Sequence, residues 1–515
     1  MSEAITTPDL VVSGHSAGAP TDLAEAAATV APDSLVRRAF SFPAMLGALL
    51  VTGVFVTRRG FEVDPDLWWH IKIGQDILTT HHWPTSDSFS FTAAGEPWMA
   101  TEWVGDILFA AVERVAGLRG LEALLIILGA AVVVALYAFA TLRSGNSKAG
   151  FVTSAALLLL AVTNFNLRPQ MLGYLFLVLT LIALERFRQG KTGALWFLPL
   201  LFLFWVNTHA SWEIGLGAIF VHWMSGLKEI HCGGIETRCW KPADRLRLAL
   251  TFLLCVAVLP ITPYGTRLAA FPFQFISSLP NNLSDIVEWQ PMPFNQPVGK
   301  LFLVMVLGCF AMQIATRLTW RLEEAALFFF ATAMACLHGR FMLIFVPFSA
   351  PLFAIALARW LPKYNREKDP YLLNAVLMFF MLAAMWRYFP SQAALEESVA
   401  SNFPVGAVQY LDQHPIQGPM FNAYNFGGYL IWAAAPQHKV FIDGRGELFE
   451  PSGVLADYMH ITLLRPGALS VLSSYGVQAC LLNQGDALAN VLAMLPNWER
   501  VYSDRTSVVF SRKRN

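Results

Sequence analysis

Charge is what this chain has least of. Of 515 residues, 14% are Asp, Glu, Lys or Arg, where soluble domains carry about 25%. Acidic and basic residues cancel, 36 against 36, so the composition offers no basic excess for nucleic acid. Cysteine is scarce too: six, at 232, 239, 255, 309, 336 and 480. Three lie in apolar runs and Cys480 stands alone. Cys232 and Cys239 share a basic loop with His231, too few ligands for a metal site. No disulfide framework follows. Residues 1–36 contain no Lys or Arg, so they lack the basic start of a secretory signal. Their Ala, Ser, Thr, Asp and Glu content reads as a disordered tail. The chain has no internal repeat, no glycine-rich phosphate loop and no GxSxG elbow.

What is there is hydrophobicity. Apolar residues make up 55% of the chain and mean hydropathy is +0.48, values that over this length predict a polytopic membrane protein. Apolar runs lie near 39–57, 121–142, 149–166, 169–185, 193–209, 211–227, 247–263, 299–316, 323–338, 340–359 and 370–389. Residues 104–117 are shorter and hold Asp106, Glu113 and Arg114, so they read as an interfacial helix that does not cross. With Arg37 and Arg38 before the first run, the amino terminus is cytoplasmic by the positive-inside rule. The basic loops around 143–148, 186–191, 228–247, 317–321 and 359–368 then all fall inside. The expected fold is an α-helical membrane domain over 37–389 with about eleven transmembrane helices. Beyond it, the strand-length patterns GPMFNAY, HKVFIDGR, VQACLLN and the hairpin RVYSDRTSVVFSR predict an extracytoplasmic soluble α/β domain over 390–515.

The first outer loop, 58–120, interrupts the apolar pattern most strongly. Its stretch FEVDPDLWWHIKIGQDILTTHHWPTSDSFSF (61–91) carries Glu62, Asp64, Asp66, His70, Asp76 and Asp87, and Glu96 and Glu102 follow. Leu67, Ile71, Gly74 and Leu78 recur at helical spacing over 66–79, and Trp68 and Trp69 suit a membrane interface. The other outer connections hold ionisable residues beside apolar runs: Arg168, His209, Glu213, Glu288, His338 and Arg340. Such groups at membrane depth are costly and usually line a cavity or pair with one another. Arginines at helix ends also snorkel to the interface, so it is their recurrence on the face of the acidic loop that points to a site.

The runs DPDLWWHI, PTSDSFSFTAAGEPWMATEW, NLRPQM, WVNTHASW, FNAYNFGGYLIW and KVFIDGRGELF, in this order, resemble a bacterial branch of the glycosyltransferase C superfamily. Oligosaccharyltransferases, protein mannosyltransferases and aminoarabinose transferases belong to that superfamily. The resemblance spans the chain from Arg37 onward and implies an integral protein of the bacterial plasma membrane. It implies a sugar donor linked to polyprenyl phosphate and a glycan, lipid or protein acceptor on the periplasmic face. It places the first-loop acid, a catalytic base or a metal ligand, on Asp64 or Asp66. Asp66 is favoured because it begins the predicted helix. The sequence departs from the superfamily pattern in the next outer loop, which offers NFNLRPQ and no second acidic pair. Asn425 stands where the oligosaccharyltransferases place an aspartate, so sequon recognition is not carried over.

Sugar transfer from a lipid phosphate needs a base for the acceptor's proton and a cation for the departing phosphate. Asp66 or Asp64 fits the first, and Arg168 and Arg340 fit the second, since guanidinium binds phosphate through two parallel hydrogen bonds. His70, Glu102, His209 and Glu288 are candidate supporting residues. Asp64, Asp66 and Glu102 are hard oxygen ligands suited to Mg²⁺ or Mn²⁺, although a metal is not required. In the distal domain, Asn425, Asp443 and Arg445 have two readings. One is an ordinary turn between strands; the other is an acceptor-side loop facing the membrane cavity. Two other classes remain, a multi-span transporter and a non-catalytic assembly subunit. The absence of an inverted repeat weighs against transport.

Overall fold

The computed structural model describes residues 35–60, 64–278 and 289–513. Up to Leu357 the described residues are mostly helical, with one small sheet of the short strands Ile230–Cys232, Ile235–Thr237 and Trp320–Arg321. Among the described residues, four helices are long and apolar enough to cross a membrane unaided, Trp103–Ser144, Gln170–Arg188, Pro297–Thr316 and Gly339–Leu357, and the bent pair Tyr371–Arg387 and Gln392–Asn402 makes a fifth if it is one span. Eleven crossings are therefore an expectation that helix length alone does not meet. The other apolar runs form shorter helices, among them Phe42–Arg58, Ser147–Ala161, Leu198–Val206 and Trp212–Ser225. Their ends are taken up by turns. The run at 193–209, for example, begins as a 3₁₀ turn at Thr192–Leu195 and ends in the polar turn after Val206. The outer surface has membrane character: along Tyr371–Arg387 only Asn374 is buried, while Leu372, Phe379, Phe380 and Trp386 face outward.

The first-loop helix runs from Leu67 to Thr80, as the spacing predicts. It lies against the first part of the helix Trp103–Ser144, which bends at Gly117 (φ 55°, ψ −150°). Gly117 separates the charged stretch read as interfacial from the apolar stretch that follows. Contact between the two helices is close because Gly74 has no side chain; a Cβ there would stand 2.0 Å from the Asp106 carbonyl oxygen.

The opposite end of the bundle is held by ion pairs. Arg143 meets Glu324, Arg188 meets Glu323, and Arg321 meets Glu185. Cys232 and Cys239 are both exposed and unpaired with each other.

The distal region forms a four-stranded sheet in the order Met420–Asn422, Ala479–Asn483, Ser507–Arg512, Trp498–Ser503. The first pair is parallel and the others antiparallel. The expected hairpin is present. HKVFIDGR is not a strand of this sheet: Val440 bridges Ser90 of the first loop instead, through hydrogen bonds from Phe91 N to Val440 O and from Val440 N to Phe89 O. The first loop and the distal region are thus fastened backbone to backbone.

Candidate active site

The site forms where the start of the first-loop helix meets the turn before Gln170–Arg188. Asp64 is nearly enclosed, 6% exposed. Its Oδ1 accepts the Asp66 amide at 3.0 Å and its Oδ2 accepts Arg168 Nε at 2.6 Å. Asp66 Oδ2 lies 3.0 Å from Arg168 Nη2, and its Oδ1 accepts Trp69 Nε1 at 3.3 Å. Burial, followed by the neighbouring Asp64 charge, pushes the Asp66 carboxyl upward against the pull of Arg168. Asp64 is thus the enclosed member of the pair, and Asp66, with 16% of its side chain exposed, is the more accessible one.

One helical turn further on lies a second cluster. His70 Nδ1 is 2.6 Å from Asp106 Oδ1, and both residues are buried. Burial alone would lower the His70 pKa, but the charge and hydrogen bond of Asp106 outweigh it and the net shift is upward. His70 Nε2 lies 3.6 Å from Glu102 Oε2, and Glu102 Oε1 lies 3.5 Å from His209 Nε2. Burial raises Glu102 to about 7, against the favourable charge of His70. His209 is pushed down to about 3 by burial and then by the Arg340 charge. Its Nδ1 accepts the Ser211 amide at 3.1 Å, which fixes the neutral tautomer with the proton on Nε2, facing Glu102.

Reading the sequence alone missed three residues here. Asp106 stands four residues after Glu102 on one helix, as His70 stands four after Asp66 on the other; these paired spacings were the available signal. Glu447 and Tyr424 come from the distal region, whose placement no local pattern reveals. Glu447 accepts Trp98 Nε1 at 3.0 Å, and its charge adds to the rise at Glu102. Burial, and then the Asp66 charge, raises the Tyr424 hydroxyl. Gly444 abuts Asp66 so closely that a Cβ would fall 1.7 Å from Oδ1.

Other expected residues lie elsewhere. Arg340 stacks over Trp289, 4.5 Å from the ring centre, and reaches the site through its field at His209, with no ion pair to the first-loop acids among the described residues. Glu288 lies outside the described residues. Asn425 exchanges hydrogen bonds with Asn483 at 3.1 and 3.2 Å. Arg445 does not face a cavity. It is 1% exposed, binds Asp443 through Nε at 2.8 Å and Nη2 at 2.7 Å, and ion-pairs with Asp87 at 2.8 Å. The acceptor-side reading of Asp443 and Arg445 gives way to a buried clasp between the distal region and the first loop, because two carboxylates already use the guanidinium.

The proposed metal set fits poorly. Asp64 and Asp66 point at Arg168, and Glu102 sits between two imidazoles. No group of three or more His, Cys, Asp or Glu among the described residues is arranged to hold an ion.

No protein-family model matches the chain, and no curated protein does. Solved structures do. The oligosaccharyltransferase of Archaeoglobus fulgidus, tethered to an acceptor peptide with an NVT sequon, aligns over 93% of this chain and 75% of its own, at 13% identity and a TM-score of 0.51. Arabinofuranosyltransferase AftD from Mycobacteria aligns over 94% of this chain and 40% of its own, at 13% identity and a TM-score of 0.50. ArnT from Cupriavidus metallidurans, bound to undecaprenyl phosphate, aligns more loosely over 90% and 96%, at 15% identity and a TM-score of 0.46. At these identities the likeness concerns fold alone: the chain shares the fold of these solved structures.

Proposed function

We propose that this protein is a membrane glycosyltransferase. It moves a sugar from a polyprenyl-phosphate-linked donor to an acceptor on the extracytoplasmic face of a bacterial plasma membrane. The amino terminus is cytoplasmic, and the shorter apolar helices complete about eleven crossings. The observation that carries the reading is the accessible Asp66 carboxylate held 3.0 Å from the Arg168 guanidinium, beside an interfacial helix. The fold shared with named glycosyltransferases supports it.

In this mechanism Asp66 takes the proton of the acceptor's nucleophilic group while that group bonds to the anomeric carbon. The bond from that carbon to the phosphate oxygen breaks, and the electron pair stays on the phosphate. Arg168 balances the new negative charge; guanidinium keeps its proton throughout. His70, fixed by Asp106, and neutral His209 orient Glu102 at the rim.

The test is transfer from a radiolabelled polyprenyl-phosphate sugar by the purified protein in vesicles. Asp66→Asn preserves shape and removes the base, so turnover should fall at least about 10²-fold while melting and expression stay normal. Full turnover in Asp66→Asn would remove Asp66 from the mechanism.

A further inference from the structure

Two carboxylates two residues apart, one of them enclosed, repel each other unless a cation stands between them. A divalent ion is one way to supply that cation. In this chain the position is filled from within. All four carboxylate oxygens of Asp64 and Asp66 have a donor: the Asp66 amide, Arg168 Nε, Arg168 Nη2 and Trp69 Nε1. The guanidinium bridges both acids, and its backbone is held in place. Arg168 N donates to Asn166 O at 2.8 Å and Met171 N donates to Arg168 O at 3.1 Å. Pro169 lies against Gly105 of the facing helix, where a Cβ would meet its ring at 2.7 Å. A Mg²⁺ or Mn²⁺ ion demands oxygens at about 2.0–2.2 Å in near-octahedral array, and the position between the two carboxylates is held by the Arg168 guanidinium.

We propose that Arg168 takes the place of a divalent cation in this site, so that sugar transfer needs no metal ion. The inference rests on the glycosyltransferase reading for its role in turnover, but not for the cation site itself. Its advantage lies in timing. While Asp66 is ionised, part of the Arg168 charge is spent on it. When the acceptor's proton reaches Asp66, that carboxyl becomes neutral. In the same step the sugar–phosphate bond breaks and its electron pair stays on the phosphate. Proton transfer therefore hands the guanidinium from Asp66 to the leaving phosphate. Charge is conserved: one proton moves to Asp66, one negative charge appears on the phosphate, and Arg168 stays protonated.

Mn²⁺ provides a probe with a readout apart from activity. Electron paramagnetic resonance of purified wild type with Mn²⁺ should show no bound ion that Asp64→Asn removes, and transfer should survive EDTA treatment unchanged. Arg168→Ala should create an ion site: it binds Mn²⁺, its melting temperature rises by several degrees in excess Mn²⁺, and the added Asp64→Asn abolishes both effects. Stoichiometric Mn²⁺ in wild type that Asp64→Asn removes would overturn the inference even if Arg168→Ala does not fold. A folded Arg168→Ala that takes up no Mn²⁺ would overturn it as well. Transfer that EDTA abolishes and Mn²⁺ restores defeats this inference and leaves the proposed function standing. No transfer from any lipid-linked donor, with the Mn²⁺ results as expected, defeats the function and leaves the cation assignment standing.

Discussion

Arg445 and Glu102 show how burial decides what a charged residue does. Arg445 is enclosed with Asp443 and Asp87, and removing one member of such a group strands the others. Arg445→Ala should therefore destabilise the protein by about 3–5 kcal/mol, read as a large fall in melting temperature or as failure to accumulate. A melting temperature within a degree of wild type would mean that the clasp is not enclosed. Glu102 carries its own pH signature. Its carboxyl ionises near 4.5 when unfolded and at about 7 when folded. The folded state thus holds a proton that the unfolded state has lost, and stability falls as pH rises from about 4.5 to about 7. Glu102→Gln removes this dependence, so wild type should lose melting temperature relative to Glu102→Gln across that window. A wild type that gains relative to Glu102→Gln would contradict the burial of Glu102. At this scale the sequence was legible where acids and imidazoles cluster, at Asp64, Asp66, His70 and Glu102. It left Arg445 open between two readings, since a DGR turn looks the same whether its arginine is solvated or enclosed.

The elements that build the site are the helix Leu67–Thr80, the start of Trp103–Ser144, the turns that carry Arg168 and His209, and a loop brought from more than 300 residues away. Period and polarity foretold the helix Leu67–Thr80 and the break that Gly117 makes in Trp103–Ser144. They could not foretell that Gly444 rests on Asp66 or Gly428 on the Pro65 carbonyl, where a Cβ would stand 2.3 Å away. Long-range packing of this kind leaves no periodic trace in either segment. Gly444 separates fit from charge. Gly444→Ala adds one methyl group where the distance allows none, so either the loop or Asp66 must move. Transfer should fall by about 10-fold or more, since small misplacements of catalytic groups are expensive, while Gly485→Ala, with open space at its Cβ, should leave transfer intact. Equal rates in wild type and Gly444→Ala would show that the distal loop does not set the Asp66 position.

For the whole molecule, the chemistry depends on which way the chain is threaded. In the proposed topology the basic loops put Arg188, Arg245 and Lys363 on the cytoplasmic side, and the distal sheet, fastened to the first loop, on the other. Reporter fusions after Arg188, Arg245 and Lys363 should give cytoplasmic signals, and one after Ser401 an outside signal; the reverse pattern would put every site residue on the wrong face for a lipid-linked donor. Overall architecture was readable from hydropathy and the order of its motifs. Helix length leaves the number of crossings open, because several apolar runs give up their ends to the polar turns that carry Arg168 and His209. The central claim, that the Asp66–Arg168 centre works on a lipid phosphate, is tested most directly by an electron cryo-microscopy map of the protein in nanodiscs with a polyprenyl phosphate. The account predicts phosphate density within hydrogen-bond reach of Arg168 and beside Asp66, lost in Arg168→Ala. Phosphate bound at the opposite membrane face, with none at Arg168, would contradict it.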